Sequence, residues 1–594
     1  MRRRTFLAAL PVSAAAVAAA PPTSAQAPKP AERNPEPARD DVRQGDRVAG
    51  ARFANRSAAW GVNGAAATAH PLASLAAIDI LRKGGSAVDA AIAANACLGF
   101  LEPTGCGIGG DCFVLLWDPK TKKVVGLNGS GPSPRGLSLE TVRGRAVNGR
   151  IPSWGAITVS VPGAVAAWGA LHGRYGKLPW KDLFEPAIGL ASEGVPVAQT
   201  IAFYLASAVR RYTNPASKIE EIANFLKVWT KDGKAPVEGE IFKNPALANT
   251  YRLMAEGGPR AFYEGEIATR IEAYFKRIGG WMTRADLAAH KSEWTEPLVT
   301  GYRGVDVYGL SPNSQGLSTL QILSMMETFD IKAMGFQSAA AIHHAVEAKR
   351  LAYEDRARFF ADPAFSPAPL EWLNSKEYAR ERAKLIRPDR ILETVYPGQA
   401  PSRGDTTYFT VADRDGMMVS IIQSNYRGMG SGLSPDGLGF MFQNRGEMFA
   451  LTDGHPNLYA PGKRPFQTII PGFAVKDGQP WLSFGVMGGD MQPQGQAQVI
   501  SNMVDFGLDV QAAGDAPRWH HEGGMEPTGE ALGHPGLLRL ETGVPAATRT
   551  ALEKLGWKIG ASDGGFGGYQ AIERWPGRYA AGTEMRKDGI ALAY

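Results

Sequence analysis

Asp405 is followed by a threonine pair, Thr406-Thr407, at the head of an alternating run that ends at Asp413. A threonine hydroxyl inside a chain is a poor nucleophile. Cutting the Asp405–Thr406 bond would free an α-amine beside the Thr406 hydroxyl. With a pKa of about 7.7–8.0, such an amine can take the hydroxyl proton without an unusual environment. The alternative reading is structural, because β-branched residues suit a pleated sheet whatever their chemistry. Further along, Gly488-Gly489 follows the apolar run Leu482 to Val486. Two residues without side chains there would let two backbone N–H groups converge on an oxyanion, or would simply turn the chain as it leaves a strand.

Other candidate groups carry less chemistry. Cys97, Cys106 and Cys112 are odd in number and fit neither a zinc ribbon nor a disulfide framework. A Cys106–Cys112 bond could close across a glycine loop in an oxidising compartment, but the spacing favours three small buried thiols. The nine histidines form no His-Glu-x-x-His pattern. His343-His344 with Glu347 comes nearest, and adjacent helical histidines point to different faces, so neither a metal nor a cofactor is expected.

The elements that must position Thr406 can be read from punctuation and period. Leu72, Leu75, Ile78 and Leu81 form a helical stripe between Pro71 and Gly84-Gly85, and an Ala-rich helix should run from about Ala87 to Phe100. Residues 112–117 and 123–127 read as a hairpin around Asp118-Pro119-Lys120. The stretch 162–395 should be mostly helical, with a strand pair over 295–312 that enters a helix. Residues 396–405 form a polar, Pro/Gly-rich link without periodicity, as a loop that is strained and cut would. Beyond it, strands are expected at 407–413, 417–424, 438–443, 471–476 and 480–486, with a terminal hairpin near 568–592 and one clear helix at 494–504. Strand hairpins flanked by helices on both sides of the link imply stacked sheets covered by helices, an α/β (α+β) class.

Bulk properties narrow the function. Of 594 residues, 44% are apolar and 21% charged, an ordinary globular composition with room for a large core. The net charge of +6 carries no basic run beyond the N-terminus, so no nucleic-acid partner is expected. Arg2-Arg3-Arg4, an apolar run from Ala8 to Ala20 and small residues up to Ala27 read as a twin-arginine-like signal peptide over residues 1–27. That run is too short for a permanent anchor. Residues 28–55 read as a flexible linker, and the mature protein as periplasmic or secreted, without a membrane anchor.

Several blocks, in this order, resemble the γ-glutamyltransferase (glutathione hydrolase) family of the N-terminal-nucleophile (Ntn) hydrolases. They are His70-Pro71-Leu72-Ala73-Ser74, Glu102-Pro103-Thr104-Gly105-Cys106-Gly107-Ile108-Gly109-Gly110-Asp111, Val161-Pro162-Gly163, Tyr302-Arg303-Gly304, Ala361-Asp362-Pro363, Asp405-Thr406-Thr407, Lys463-Arg464-Pro465 and Met487-Gly488-Gly489. Each block is weak alone, and the ordered set spans about residues 55–594. The resemblance implies a four-layer αββα sandwich and a precursor that cuts itself into two subunits, 56–405 and 406–594, which remain partners. It also implies Thr406 as nucleophile, Ser424 as the hydroxyl that holds it, and Gly488 and Gly489 as the oxyanion hole.

The pocket departs from the family pattern. Where family members carry an arginine for the substrate α-carboxylate, this chain reads Leu127-Asn128-Gly129-Ser130, and the family's serine pair appears as Gln467-Thr468. The positions that hold the substrate amine fall at Tyr426, Arg445 and Met448. Losing those contacts removes what specifies an amino acid. The segment 449–463 is short for the family's lid, which implies an open pocket that favours hydrolysis over transfer. Arg445 would then be either a new anion contact or a rim residue paired with Glu447. Three functions follow: a hydrolase of γ-glutamyl, glutathione-like small-molecule amides; an Ntn amidohydrolase of another acyl group, of oxamate or cephalosporin acylase type; or an inactive exported binding protein, against which the complete Thr406, Ser424 and Gly488-Gly489 set argues.

Overall fold

A computed structural model describes residues 42–43, 46–47, 56–393, 405–524, 527–528 and 535–594. The expected leader, most of the expected linker and all of the 396–405 link except Asp405 lie outside the described residues.

Two seven-stranded antiparallel sheets form the centre. The first runs Ile590–Ala593, Gly64–Thr68, Asp405–Asp413, Met418–Tyr426, Asp111–Asp118, Lys123–Gly129 and Glu293–Thr295. The second runs Leu298–Tyr302, Val305–Gly309, Gly472–Lys476, Gln479–Val486, Tyr569–Trp575, Arg578–Thr583 and Ala59–Gly61. Side chains alternate along each strand, so each sheet has two apolar faces to cover. On the first sheet, Phe113, Leu115, Tyr408, Met418 and Ile422 meet Phe473, Val475 and Ile572 of the second in one cluster between the sheets. Their strand neighbours Val114, Leu116, Phe409, Val411, Val419 and Ile421 face the other way, into a cluster with the helices Pro71–Arg82, Ala87–Leu101 and Ala164–Tyr175. The outer face of the second sheet, through Leu482, Phe484 and Ala571, packs on the helices Gly316–Met326, Ala339–Phe359 and Met491–Val504. This is the expected αββα sandwich.

The helix Ala87–Leu101 matters most to the site. A capping box between Ser86 and Asp89 starts it, and every residue is buried, which its alanines permit without bulk. It crosses beneath the first sheet, where Asn95 donates to Gln423 of the strand Met418–Tyr426 (2.7 Å). Its C-terminus then releases the glycine loop 102–110 at the head of the Thr406 strand. A Cβ at Gly110 would stand 2.4 Å from the Ser424 carbonyl oxygen, so only glycine lets the loop approach the neighbouring strand Met418–Tyr426.

Three expectations need correction. Residues 438–443 form no strand: Phe442 and Gln443 donate instead to Leu433 (3.1 Å) and Gly109 (2.9 Å), and Gly439 takes φ +73°. The terminal hairpin is Tyr569–Trp575 with Arg578–Thr583, but the last strand, Ile590–Ala593, crosses to the other sheet and pairs with Gly64–Thr68. The second part also holds the helices Val510–Asp515 and Ala546–Lys554 beside the expected one.

Candidate active site

Thr406 lies at the start of the strand Asp405–Asp413, and its Oγ1 is 3.2 Å from Ser424 Oγ on the neighbouring strand. Both side chains are buried. The ladder pairs Asp405 with Tyr426 and Thr407 with Gln423, so Ser424 and Asn425 together oppose the single residue Thr406. Such a bulge re-aims a side chain that a regular ladder would fix. Ser424 Oγ also accepts the Tyr426 N–H at 2.8 Å, and Tyr426 takes φ +77°, in the left-handed region that a bulky side chain seldom adopts. The neighbouring hydroxyl is anchored as well, since Thr407 Oγ1 donates to Glu102 Oε2 at 2.6 Å.

The strand that follows the glycine loop contributes a second carboxylate. Asp111 pairs in register with Ser424 and is fully buried. Its Oδ1 accepts the Gly131 N–H at 3.1 Å and its Oδ2 accepts Gln467 Nε2 at 2.9 Å. Burial pushes the carboxyl up to about 6, against the pull of Arg445, the Gly131 N–H, the Gln467 amide and Arg464.

Three of the four expected substrate-binding residues, Tyr426, Arg445 and Thr468, meet, while the Gln467 side chain turns to Asp111. The Arg445 guanidinium lies 4.3 Å from the centre of the Tyr426 ring, and its Nη1 donates to Thr468 Oγ1 at 2.7 Å. A buried cation on an aromatic face is favourable and keeps a fixed direction. The rim alternative fails, because Glu447 pairs with Arg427 (2.6 Å) and accepts Ser153 Oγ (2.9 Å). Met448 joins the apolar cluster of Tyr426 and Phe466. At Gly129 an added Cβ would stand 2.7 Å from both Ala167 Cβ and the Cys112 carbonyl oxygen, so this position has no room for an arginine. Ser130 is buried and donates to Asn128 Oδ1 at 2.7 Å. The 449–463 segment is pinned to the body: Tyr459 OH donates to the Leu137 carbonyl (2.8 Å), and Asn457 Nδ2 donates to Met448 (2.7 Å) and Pro527 (2.8 Å) carbonyls.

Gly488 (φ +113°) and Gly489 (φ +56°) link the strand Gln479–Val486 to the helix Met491–Val504. The turn is held from its carbonyl side. Gln315 Nε2 donates to the Gly489 (3.2 Å) and Thr468 (2.6 Å) carbonyls, and Arg356 Nη1 donates to both Gln315 Oε1 and Asp490 Oδ1 at 2.6 Å. Thr406, Ser424, Tyr426, Arg445, Thr468, Gln315 and Gly489 thus form one contiguous constellation. Chemically, such a set could serve acyl transfer: a threonine hydroxyl beside a second hydroxyl, a glycine turn of the kind that can hold an oxyanion, and a buried cation.

Sequence reasoning missed Asp111, Glu102, Gln315 and Arg356. The first two stand inside the glycine-loop block; Gln315 and Arg356 carry no local signal, because their partners come from other segments. Cys97, Cys106 and Cys112 are buried, unbridged thiols. His343 Nδ1 accepts Trp557 Nε1 (3.0 Å) and Glu347 pairs with Arg350 (2.8 Å). No described helix is long and apolar enough to cross a membrane.

Comparison with known proteins agrees with this geometry. The gamma-glutamyltranspeptidase family model matches residues 73–594. The chain is 38% identical over 452 residues to the glutathione hydrolase-like YwrD proenzyme of Bacillus subtilis (strain 168), covering 76% of this chain and 83% of that protein. It is 33% identical over 549 residues to the oxamate amidohydrolase proenzyme of Klebsiella pneumoniae, covering 90% and 98% respectively. The solved structure of cephalosporin acylase from Bacillus halodurans aligns with a TM-score of 0.84 at 40% identity, covering 93% of this chain and 99% of that one.

Proposed function

The chain belongs to the gamma-glutamyltranspeptidase family of Ntn amidohydrolases, and we propose that it is a self-processing N-terminal threonine enzyme for carboxylate-bearing acyl amides, γ-glutamyl amides among them. The observation that carries this reading is the buried pair Thr406 Oγ1 and Ser424 Oγ, 3.2 Å apart at the head of a sandwich strand. In the precursor, Thr406 Oγ1 attacks the Asp405 carbonyl. The C–N bond gives way to an ester, the Thr406 amine is freed, and water opens the ester to leave a large subunit that ends at Asp405 and a small one, 406–594. In the mature enzyme that amine takes the hydroxyl proton as Oγ1 attacks the substrate amide, and returns it to the leaving amine. The Gly488 and Gly489 N–H groups hold the oxyanion. Water then releases the acid. The 449–463 segment is short for the family's lid, which supports hydrolysis over transfer.

Arg445 takes the acyl carboxylate, with Tyr426, Thr468 and Gln467 around it. Arg445→Gln should lower kcat/KM roughly ten- to a hundredfold on γ-glutamyl-p-nitroanilide, the range of a charge-assisted hydrogen bond, and barely change it on an amide with an uncharged acyl group. Equal losses on both substrates would remove Arg445 from the acyl pocket. A second reading, amides of smaller or bulkier acyl groups, is favoured by the likeness to the oxamate and cephalosporin enzymes, and the same assay over an amide panel separates it. The Arg2-Arg3-Arg4 leader supports export, with the enzyme working in a periplasm or outside the cell.

A further inference from the structure

Gln467 is fully buried, and its two amide atoms are unequal. Nε2 is committed to Asp111 Oδ2 at 2.9 Å, whereas Oε1, equally buried, accepts no hydrogen bond from a described residue. An unanswered buried carbonyl oxygen is costly and calls for a partner, which beside a reactive site can be a ligand. This one belongs to the residue beside Thr468, which holds Arg445. Asp111, which orients it, pairs with Ser424 in the ladder next to the nucleophile.

We propose that Asp111 is a positioning residue that fixes the Gln467 amide with its oxygen toward the acyl pocket, so that the pocket selects acyl groups bearing an N–H donor beside their carboxylate. The inference rests on the amidohydrolase reading above and adds a second recognition element to it. The logic lies in the two donors that Asp111 serves. The Gly131 N–H is backbone and cannot turn round, so Oδ1 must remain an acceptor. Oδ2 is then free to set the sense of Gln467. As a carboxylate oxygen it demands the Gln467 NH2, which leaves Oε1 for the ligand. If that position became a donor, Gln467 would flip and show its NH2 to the ligand.

Protonation has the same effect as such a change. The groups facing Asp111 are the Arg445 and Arg464 cations, the Gly131 N–H and the Gln467 amide, with Tyr263 and Cys112 held neutral by burial. Above about pH 6 the carboxylate accepts from Gln467. Below it, a carboxyl O–H on Oδ2 donates to Gln467 Oε1.

The test compares γ-glutamyl-p-nitroanilide with glutaryl-p-nitroanilide, which keeps the carboxylate and lacks the ammonium donor. At pH 8 the wild-type enzyme should favour the γ-glutamyl substrate in kcat/KM by about tenfold or more, the range of a charge-assisted hydrogen bond. In Asp111→Asn the amide oxygen stays on Gly131 and the NH2 faces Gln467, so the preference should fall to about one or below. Adding Gln467→Glu returns an acceptor to the pocket and should restore it. In the wild type, lowering the pH to 5 should bring the ratio to the Asp111→Asn value, while in that variant it stays flat. Loss of the Thr406 amine as base at low pH affects both substrates alike and cancels in the ratio. An Asp111→Asn ratio equal to the wild type, with both rates lowered together, overturns the inference as a merely structural role. If Asp111→Asn does not accumulate, the wild-type pH series decides: a ratio constant from pH 8 to 5 overturns it. Wild-type release of p-nitroaniline from neither substrate also overturns it, and activity on other amides would then leave the amidohydrolase reading standing.

Discussion

Thr406→Ala is expected to leave a single uncut chain with amidase activity reduced by at least about a thousandfold. The size of the effect follows from one residue holding both roles: Oγ1 is the attacking atom, and the amine exposed by its own first reaction is the base. Nothing nearby can replace it. Ser424, 3.2 Å away, carries a hydroxyl of ordinary basicity already engaged with the Tyr426 N–H, and Thr407 is committed to Glu102. Alanine removes only a hydroxyl and a methyl from a buried strand head, so the fold should persist, as far-ultraviolet circular dichroism would verify. Appearance of the two fragments from this variant would mean that an outside protease makes the cut.

Arg356→Leu should cost about 3–5 kcal/mol of stability and slow turnover as well. Arg356 is buried, stacks on the Tyr353 ring with its guanidinium carbon 3.8 Å from the centre, and binds both Asp490 and Gln315. Removing it leaves the Asp490 carboxylate without its cation where only 12% of that side chain reaches water. An ion pair broken from one side in such a place loses far more than the pair itself contributes. Gln315, which holds the Gly489 and Thr468 carbonyls, loses its anchor at the same time. Urea titration of the variant made in the uncut Thr406→Ala chain, where one polypeptide is followed, measures the stability. A midpoint unchanged from the parent would show that the cation is not what holds the glycine turn.

The parts of the fold that were legible are those whose cause is local. Pro71 and Gly84-Gly85 bracket a helix found at Pro71–Arg82, and period-two alternation located the hairpins Asp111–Asp118 with Lys123–Gly129 and Asp405–Asp413 with Met418–Tyr426 to within two residues. Residues 438–443 have strand composition, but their backbone is bonded by the glycine loop and by Leu433, contacts that no window of sequence contains. The last strand reaches Gly64–Thr68 from the opposite end of the chain for the same reason. The expected catalytic and pocket residues were visible because they stand in motifs, and the structure draws Tyr426, Arg445 and Thr468 together, with Gln467 beside Thr468. Their supports were not visible: Asp111 and Gln467 are 356 positions apart, and Arg356 and Asp490 are 134 apart. A buried polar side chain declares its role only when its partner is known.

The most direct measurement of whether this is an N-terminal threonine enzyme is intact mass spectrometry of the freshly purified full-length protein, combined with N-terminal analysis of each component. Self-processing at Asp405–Thr406, with the leader 1–27 removed from the 63.5 kDa chain, yields two tightly associated fragments of about 40 and about 20 kDa, the smaller beginning at Thr406 and ending at Tyr594. A single uncut chain with full amidase activity, or a small fragment that begins at any residue other than Thr406, would contradict it.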